Sequence, residues 1–357
     1  MKECWNIIPF ESCIQKVKYT TKIASSEYLL EGLYPIVSQE DELISGYWDK
    51  KVDIFHVDTP VVIFGDHTRI LKYVDFDFVL GADGVKILKP IKDLNAKFFM
   101  FYLKSCRIPS LGYSRHYKLL KELKVPIPPL PKQSRIVEEL DLLSNIIEKK
   151  RQQLSELDNL AQSIFYDMFG DPVTNEKGWE VKLIGEISTF YNGKAHEKNI
   201  VEDSGFLLVN AKFISSCGDI KKYSDKQLFP LYKNDITMVM SDLPNGKTLA
   251  KCYLIEKDDT YTLNQRICAF RGYKQNPIFL KYVLNRNKYY LSFDDGNGQT
   301  NLRKSDVVNC PIILPPLSLQ QLFALKIEAI EKQKALIKQS IAETEELFNS
   351  RMDYYFS

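Results

Sequence analysis

An internal repeat constrains the fold of this chain more than any other feature of its sequence. A Pro-Pro-Leu triplet ends at Leu130 and another ends at Leu317, 187 residues later (317 − 130), and Gln133 and Gln320 follow them at the same distance. Each triplet ends a stretch rich in β-branched and aromatic residues, and each glutamine begins a long segment without proline or glycine. The sequence therefore predicts two copies of one structural plan.

Both long segments have apolar residues at the alternating spacing of four and three that is typical of a coiled coil. The two seams share one phase, because each position of the second equals a position of the first plus 187. The first seam comprises Ile136, Leu140, Leu143, Ile147, Lys150, Leu154, Leu157, Ala161, Ile164 and Met168, and the second comprises Phe323, Ile327, Ile330, Lys334, Ile337, Ile341, Thr344 and Phe348.

The length of these segments favours pairing. A helix of ~37 residues is ~55 Å long at ~1.5 Å per residue, which exceeds the width of a domain of ~130 residues. We expect the two helices to pair antiparallel, which places the domains at opposite ends. The alternative is an amphipathic helix lying on each domain. Lys150 and Lys334 interrupt the seams, either as surface residues with snorkelling side chains or as polar positions that fix the register.

The parts outside the helices are predicted to be α+β domains. Trp5 opens the first and Trp179 opens the second, after the helix-stop signal Gly170-Asp171-Pro172. Short strands are predicted at 52–56, 61–64, 206–209, 235–240 and 267–270, and helices at 96–106 and 277–286. The predicted fold class is therefore α+β, with two domains separated by two long helices that form an antiparallel coiled coil, in a pseudo-twofold repeat. The predicted boundaries are 1–130 and 170–317 for the domains, and 131–169 and 318–357 for the helices.

Composition excludes some classes of protein and leaves the type of ligand open. The 48 Lys and Arg residues nearly balance 46 Asp and Glu residues, so any surface that binds nucleic acid must be a local one. The seven cysteines are scattered without the C-x-x-C spacing of a zinc or redox site. With no signal peptide or apolar run of ~18 residues, we expect a cytoplasmic protein with reduced thiols.

The order of these features resembles the specificity subunit of type I restriction–modification systems. Three stretches of the first domain look like target-recognition domains of that family: GLYPIVSQ at 32–39, IFGDHTR at 63–69 and GADGVK at 81–86. In the second domain the similar stretches are MVMSDLPNG at 238–246, YTLNQR at 261–266 and GQT at 298–300. The resemblance covers nearly the whole chain.

This resemblance implies a DNA-reading subunit without catalytic activity. Each globular domain would be a target-recognition domain that reads one half of a split, asymmetric target in double-stranded DNA. The helices would space the domains and dock two modification (methyltransferase) subunits, with restriction (motor-nuclease) subunits for cleavage and no membrane. No cofactor is expected on this subunit, because S-adenosylmethionine, ATP and Mg²⁺ would bind to the partner subunits.

Candidate DNA-binding residues are polar side chains on loops that can approach a groove. In the first domain they are Gly65, Asp66, His67, Thr68, Arg69, Ser114, Arg115, His116, Tyr117 and Lys118. In the second they are Ser241, Asp242, Asn245, Lys247, Asn264, Gln265, Arg266, Gln299, Thr300, Asn301 and Arg303. The segment at 113–118 is predicted to be equivalent to 297–303. The alternatives to DNA contact are structural: residues 65–69 would form an ordinary turn, and residues 264–266 would support the ends of the neighbouring strands.

Other functions find less support in the sequence. The segment 241–248 departs from a phosphate-binding loop, because Ser241 replaces the first glycine and Pro244 interrupts the backbone. A nuclease or methyltransferase would need a catalytic constellation, and Asp294-Asp295 near His196 or Asp242 is more typical of a turn. A protein-binding scaffold is the main alternative of another class. Its partner binding should depend only weakly on salt, whereas DNA binding should weaken steeply.

Overall fold

The two copies of the repeat fold into two similar α+β units. The computed structural model describes residues 5–82, 84–112, 114–243 and 245–357, so the expectations for Cys4, Asp83, Tyr113 and Pro244 lie outside the described residues. Unit 1 comprises Met1–Arg151 and Lys338–Ser357, and unit 2 comprises Gln152–Ile337. Each long helix thus contributes one end to each unit.

Unit 1 is built mainly of short strands. Its strands are β1 Asn6–Pro9, β2 Ile14–Gln15, β3 Tyr34–Val37, β4 Gly46–Trp48, β5 Ile54–Phe55, β6 Val61–Gly65, β7 Leu71–Val74, β8 Phe78–Leu80, β9 Val85–Pro90 and β10 Lys124–Ile127. Its helices are α1 Ala96–Ser105 and α2 Tyr117–Lys121, with 3-10 turns at Phe10–Ser12, Ser25–Glu27 and Lys51–Asp53. The long helix α3 then runs from Leu130 to Phe169.

Unit 2 has the same types of element. Its strands are β11 Val181–Leu183, β12 Thr189–Asn192, β13 Ile200–Val201, β14 Phe206–Val209, β15 Tyr223–Ser224, β16 Ile236–Val239, β17 Ser241–Asp242, β18 Cys252–Leu254, β19 Tyr261–Leu263, β20 Ile267–Arg271, β21 Thr300–Asn301 and β22 Pro311–Ile313. Its helices are α4 Ile184–Ile187, α5 Ala211–Ser215, α6 Pro277–Leu284, α7 Lys288–Leu291 and α8 Lys304–Val308, with a 3-10 turn at Glu197–Asn199. The second long helix, α9, spans Leu317–Phe356.

Sheet topology shows that the units are equivalent. The central antiparallel sheet has the order β2-β9-β6-β7 in unit 1 and β12-β20-β16-β18 in unit 2. A second sheet contains a parallel pair, β3 with β8 in one unit and β14 with β19 in the other. The predicted α+β class is confirmed. The predicted strand at 52–56 is shorter than expected, because a 3-10 turn occupies 51–53.

The helices pair antiparallel, as predicted. Within unit 1, Glu139 of α3 bonds Arg351 of α9, with Nη2 3.0 Å from Oε2, and Lys150 contacts Ser340 further along the pair. Lys150 donates to the Ser340 carbonyl at 3.1 Å, to its hydroxyl at 2.7 Å and to the Thr344 hydroxyl at 2.8 Å. These bonds favour the interpretation of Lys150 as a polar position that fixes the register.

Unit 2 shows the same antiparallel direction. The Lys334 ammonium lies 2.7 Å from an oxygen of Asp158, and near the end of α3 the Phe169 ring lies 5.3 Å from that of Phe323. The helix α3 ends at Phe169 because Gly170 has a left-handed φ of +76° and donates its N–H to the Tyr166 carbonyl at 2.8 Å.

The conserved spacing of Gln133 and Gln320 within the repeat has a structural reason. The Gln133 side chain is fully buried and accepts the N–H of Asn95 at 2.8 Å, and Asn95 caps the first turn of α1. Gln320 accepts the N–H of Asn276 at 2.9 Å, and Asn276 caps α6 in the same way. Each glutamine thus joins a long helix to the most apolar helix of its unit.

The C-terminal ends of the long helices complete the apolar cores. In unit 1, the Phe356 ring of α9 lies 5.4 Å from Phe98 and 5.9 Å from Tyr102, both on α1. In unit 2, the Phe169 ring of α3 lies 4.8 Å from Phe279 on α6. Among the described residues, neither the long helices nor the shorter ones are apolar over a length that would cross a membrane.

Candidate nucleic-acid interface

Three segments of unit 1 meet beyond the end of β6, and we call them junction 1: residues 65–70, 84–86 and 114–118. Backbone hydrogen bonds connect the segments directly. The Asp66 N–H donates to the Gly84 carbonyl at 2.7 Å, and the His116 N–H donates to the Asp66 carbonyl at 2.8 Å. Junction 1 thus brings together both candidate stretches of the first domain, which are about 50 residues apart in the sequence.

Asp66 and His116 hold junction 1 together from the inside. The Asp66 side chain is 2% exposed and accepts the Tyr117 N–H at 2.7 Å. His116 is fully buried, and its Nε2 accepts the Leu111 N–H at 2.9 Å while Nδ1 lies 2.9 Å from the Asp66 carbonyl. This arrangement requires the neutral tautomer with its proton on Nδ1. It corrects the expectation that these two side chains face DNA, since both are positioning residues.

Residues of the β6–β7 turn also make hydrogen bonds within the protein. The Thr68 hydroxyl donates to the Gln39 carbonyl at 2.7 Å, and a Cβ on the buried Gly65 would lie 2.2 Å from that hydroxyl. Arg69 has a φ of +64° and donates from Nη1 to the Ile108 carbonyl at 2.9 Å. His67 is half-buried beside Gln39, whose Oε1 accepts its N–H at 3.3 Å.

The exposed part of junction 1 is polar and basic. Ser114, Arg115 and Lys118 are exposed. Tyr117 is half-buried, and the Lys86 ammonium lies 5.4 Å from the centre of its ring. A ligand outside the protein can reach these side chains, as it can the exposed Arg69 of the β6–β7 turn.

Unit 2 has an equivalent junction 2, formed by residues 240–243, 245–249, 264–266 and 294–303. The Met240 N–H donates to the Arg266 carbonyl at 3.0 Å, and the Leu302 N–H donates to the Met240 carbonyl at 2.8 Å. This repeats the pattern of Asp66 in junction 1. The equivalence of the candidate segments at 114–118 and 297–303 is therefore visible in the backbone bonding.

Asp242 orders the first loop of junction 2. Its carboxylate accepts the N–H groups of Leu243 at 2.9 Å, Thr248 at 2.6 Å and Leu249 at 3.0 Å. Burial raises the pKa of Asp242, but these hydrogen bonds outweigh it, so that the pKa lies below its usual value. A Cβ on Gly246 would lie 2.1 Å from an oxygen of this carboxylate, so a larger residue there would displace the carboxylate from these N–H groups.

Asp294 connects the remaining loops of junction 2. Its carboxylate accepts the Asn245 N–H at 3.2 Å, the Gly296 N–H at 3.1 Å and the Thr300 hydroxyl at 3.0 Å. Gln299 donates from Nε2 to the Ser241 hydroxyl at 2.7 Å. Asp242 and Thr300, predicted as contact residues, are thus used within the protein, and this corrects the expectation for their side chains.

Most of the other candidates in junction 2 are exposed. Gln265 is exposed but bonds Glu197, and Asn264 is half-buried, so this stretch partly braces the strand ends. A cleft of about 530 Å³ lies beside the last loop. The candidates exposed in junction 2 are Asn245, Lys247, Gln265, Arg266, Gln299, Asn301 and Arg303. In the described parts of the chain, no three His, Cys, Asp or Glu residues are grouped to hold a metal ion.

Sequence reasoning missed residues that shape these surfaces through the backbone. Gly84 and Lys86 belong to junction 1 and Gln39 bonds it from outside, although only their motifs, not their roles, were visible in the sequence. Gly193 was missed in unit 2, where a Cβ would lie 1.9 Å from the Asn264 carbonyl oxygen. The sequence signal for this close approach was a glycine placed between a strand and the turn at His196.

Two copies of one loop junction, each exposing hydrogen-bond donors and acceptors, define a duplicated recognition protein. The model of the type I restriction modification DNA specificity domain matches twice, at residues 11–159 and 176–346. The chain belongs to this family of DNA sequence-specificity subunits of type I restriction–modification systems.

Curated relatives and solved structures agree with the family. The specificity subunit of the Escherichia coli type I restriction enzyme EcoR124I/EcoR124II is 23% identical over 96% of this chain and 89% of its own length. The MjaVIII specificity subunit of Methanocaldococcus jannaschii is 21% identical over 92% and 86%. The crystal structure of the S subunit from M. genitalium matches with a TM-score of 0.57 at 16% identity, covering 98% of this chain and 95% of the other. A chain from a study of assembly and conformational transition in the type I system has a TM-score of 0.54 at 14% identity, over 99% and 97%.

Proposed function

We propose that each unit reads one half of a split, asymmetric DNA target, and that junctions 1 and 2 are the two reading surfaces. The observation that supports this most directly is the repeated backbone bonding, in which Asp66 and Met240 occupy equivalent positions. The same framework presents different side chains in the two units. Two readers of one plan with different exposed residues suit a target whose two halves differ in sequence.

The exposed side chains have the chemistry that DNA recognition needs. Arg115, Lys118, Lys247 and Arg303 are exposed cations that can neutralise phosphates and so provide salt-dependent affinity. Amides such as that of Asn301 can bond both N6 and N7 of an adenine in the major groove. Buried or half-buried carboxylates order the loops that carry these groups, which reduces the entropy lost on binding.

The chain, in this proposal, is a non-catalytic cytoplasmic subunit. It holds two modification subunits on the target so that each can flip an adenine out of the duplex, and restriction subunits join for cleavage. S-adenosylmethionine, ATP and Mg²⁺ bind to those partners. The paired helices α3 and α9 are the docking surface for the modification subunits.

Selection of bound duplexes from a random pool tests the proposal. The chain, co-purified with its modification subunit, should enrich a motif of two short blocks separated by unspecified bases. Substituting Arg115 and Lys118 by alanine should relax one block, and substituting Gln299 and Asn301 should relax the other. Lys233, exposed in unit 2 outside junction 2, provides the control K233A.

Salt dependence separates this function from a scaffold role. Binding that neutralises several phosphates should lose at least ~100-fold in affinity between 50 and 200 mM salt. Failure to enrich any motif, together with a weak salt dependence of whatever binding remains, would favour the protein-binding scaffold instead.

A further inference from the structure

Arg266 has an unfavourable backbone conformation at the centre of junction 2. Its φ is +65°, and its carbonyl accepts the Met240 N–H at 3.0 Å between the ends of β19 and β20. The equivalent residue in junction 1 is Gly84, with φ +95°, whose carbonyl accepts the Asp66 N–H. The fold therefore requires a left-handed residue at this place in both units.

Glycine adopts this conformation freely, whereas a residue with a Cβ is strained in it. Unit 1 has glycine there, and unit 2 has arginine in an otherwise equivalent backbone. A strained residue at an exposed loop suggests a function for its side chain when no internal contact explains it.

Internal contacts do explain the other arginines that the structure shows with a positive φ. Arg69 bonds the Ile108 carbonyl, Arg107 lies 3.3 Å from Asp353, and Arg286 bonds the Gly246 and Leu249 carbonyls at 3.2 Å each. Arg266 differs, since its exposed guanidinium makes no hydrogen bond or ion pair with the described residues.

We infer that Arg266 is a direct DNA contact of unit 2, and that its guanidinium binds either the O6 and N7 edge of a guanine or a backbone phosphate. This inference rests on the proposed function. Both ligands offer paired acceptor atoms that match the planar fork of arginine. The same position in unit 1 makes no such contact, because Gly84 has no side chain.

The test uses R266G in the full chain assembled with its modification subunit. Glycine relieves the strained φ and removes the side chain, so the melting temperature should stay within about 3 °C of wild type. Affinity for the selected target should fall at least ~10-fold, as expected for the loss of one bidentate contact.

R286G is the matched control, because Arg286 has a similar φ of +55° but bonds two carbonyls inside the protein. It should melt clearly lower than R266G. A drop in the melting temperature of R266G as large as that of R286G would overturn the inference, because Arg266 would then be structural. Unchanged DNA affinity in R266G would overturn it as well.

Two further measurements identify the ligand atom and separate this inference from the proposed function. For a guanine contact, R266G relaxes one base pair of the motif, and R266K does not restore it. For a phosphate contact, R266G weakens binding to all sequences and lowers the salt slope by about one. If R266G binds normally while alanine at Gln299 and Asn301 abolishes one block, only the inference on Arg266 fails. If neither variant changes recognition, the proposed function fails too.

Discussion

Replacing Gln133 by leucine should destabilise unit 1 strongly, although the two side chains are similar in size. Gln133 is fully buried and makes three hydrogen bonds. It accepts the Asn95 N–H at 2.8 Å and donates to the Asp93 and Pro128 carbonyls at 2.8 and 2.7 Å. Leucine would leave one N–H group and two carbonyls without a partner.

The magnitude follows from the number of groups left unpaired. Each buried polar group without a partner costs about 1–3 kcal/mol, and partial access of water to the carbonyls reduces the sum. We expect Q133L to lower the free energy of unfolding by about 3 kcal/mol. Q320L should cost less, because among the described residues the Gln320 side chain bonds two groups, the Asn276 N–H and the Pro315 carbonyl.

Hydrogen exchange and urea unfolding measure these effects together. The amides of the first turn of α1 should lose protection in Q133L, and those of α6 in Q320L. Q339L is the matched control, because Gln339 is exposed on α9 and its side chain bonds Glu343 on the same surface of the helix; its effect should stay within about 0.5 kcal/mol. A cost below about 1 kcal/mol for Q133L, or equal to that of Q339L, would refute the reasoning.

Three further predictions concern single contacts. G246A should expose the amides that Asp242 now holds and impair recognition by unit 2. Hydrogen exchange measures the first effect and duplex selection the second. G298A is the control and should change neither, because a Cβ there meets nothing within 4 Å. The hydrogen bond from Arg351 lowers the pKa of Glu139, against the opposing effect of burial. This carboxylate should therefore stabilise the fold above its unfolded pKa of ~4.3, and the contribution should be lost as the pH falls through the folded pKa. Urea titrations should therefore show E139Q to be less stable than wild type by up to about 1 kcal/mol at pH 7, with a difference that shrinks as the pH falls below ~4.3; a constant difference would contradict the assignment. F356A should lower the stability of unit 1 by about 2 kcal/mol, measured by urea unfolding, and a cost near zero would show that the end of α9 does not close that core.

Periodicity and repeat spacing predicted the large elements of the fold. The seam from Ile136 to Met168 predicted a helix, because a long helix with one apolar face has a pattern that no short strand shares. The pairing direction followed from the position of each helix after its own domain. The strands were located less accurately, because strands of two to four residues such as β5 carry too few residues to define a period.

The candidate site was predicted as a set of loops, but not the role of each residue in them. Arg115 and Lys118 were predicted as DNA contacts together with Asp66 and His116, because all four are polar residues on predicted turns. Sequence cannot separate a buried acceptor from an exposed donor, because that depends on which N–H groups the fold brings near. The carboxylate of Asp66 bonds Tyr117, 51 residues later, and no local pattern encodes that contact.

Sequencing of methylated bases in DNA from cells that express the chain with its modification subunit tests the central claim most directly. Wild type should methylate a split motif. Alanine at Ser114, Arg115 and Lys118 should abolish the sequence requirement of one half only. Alanine at Gln299, Asn301 and Arg303 should abolish that of the other. A variant of one unit that changes both halves, or no change from either variant in a complex that still assembles, would contradict one reading surface per unit.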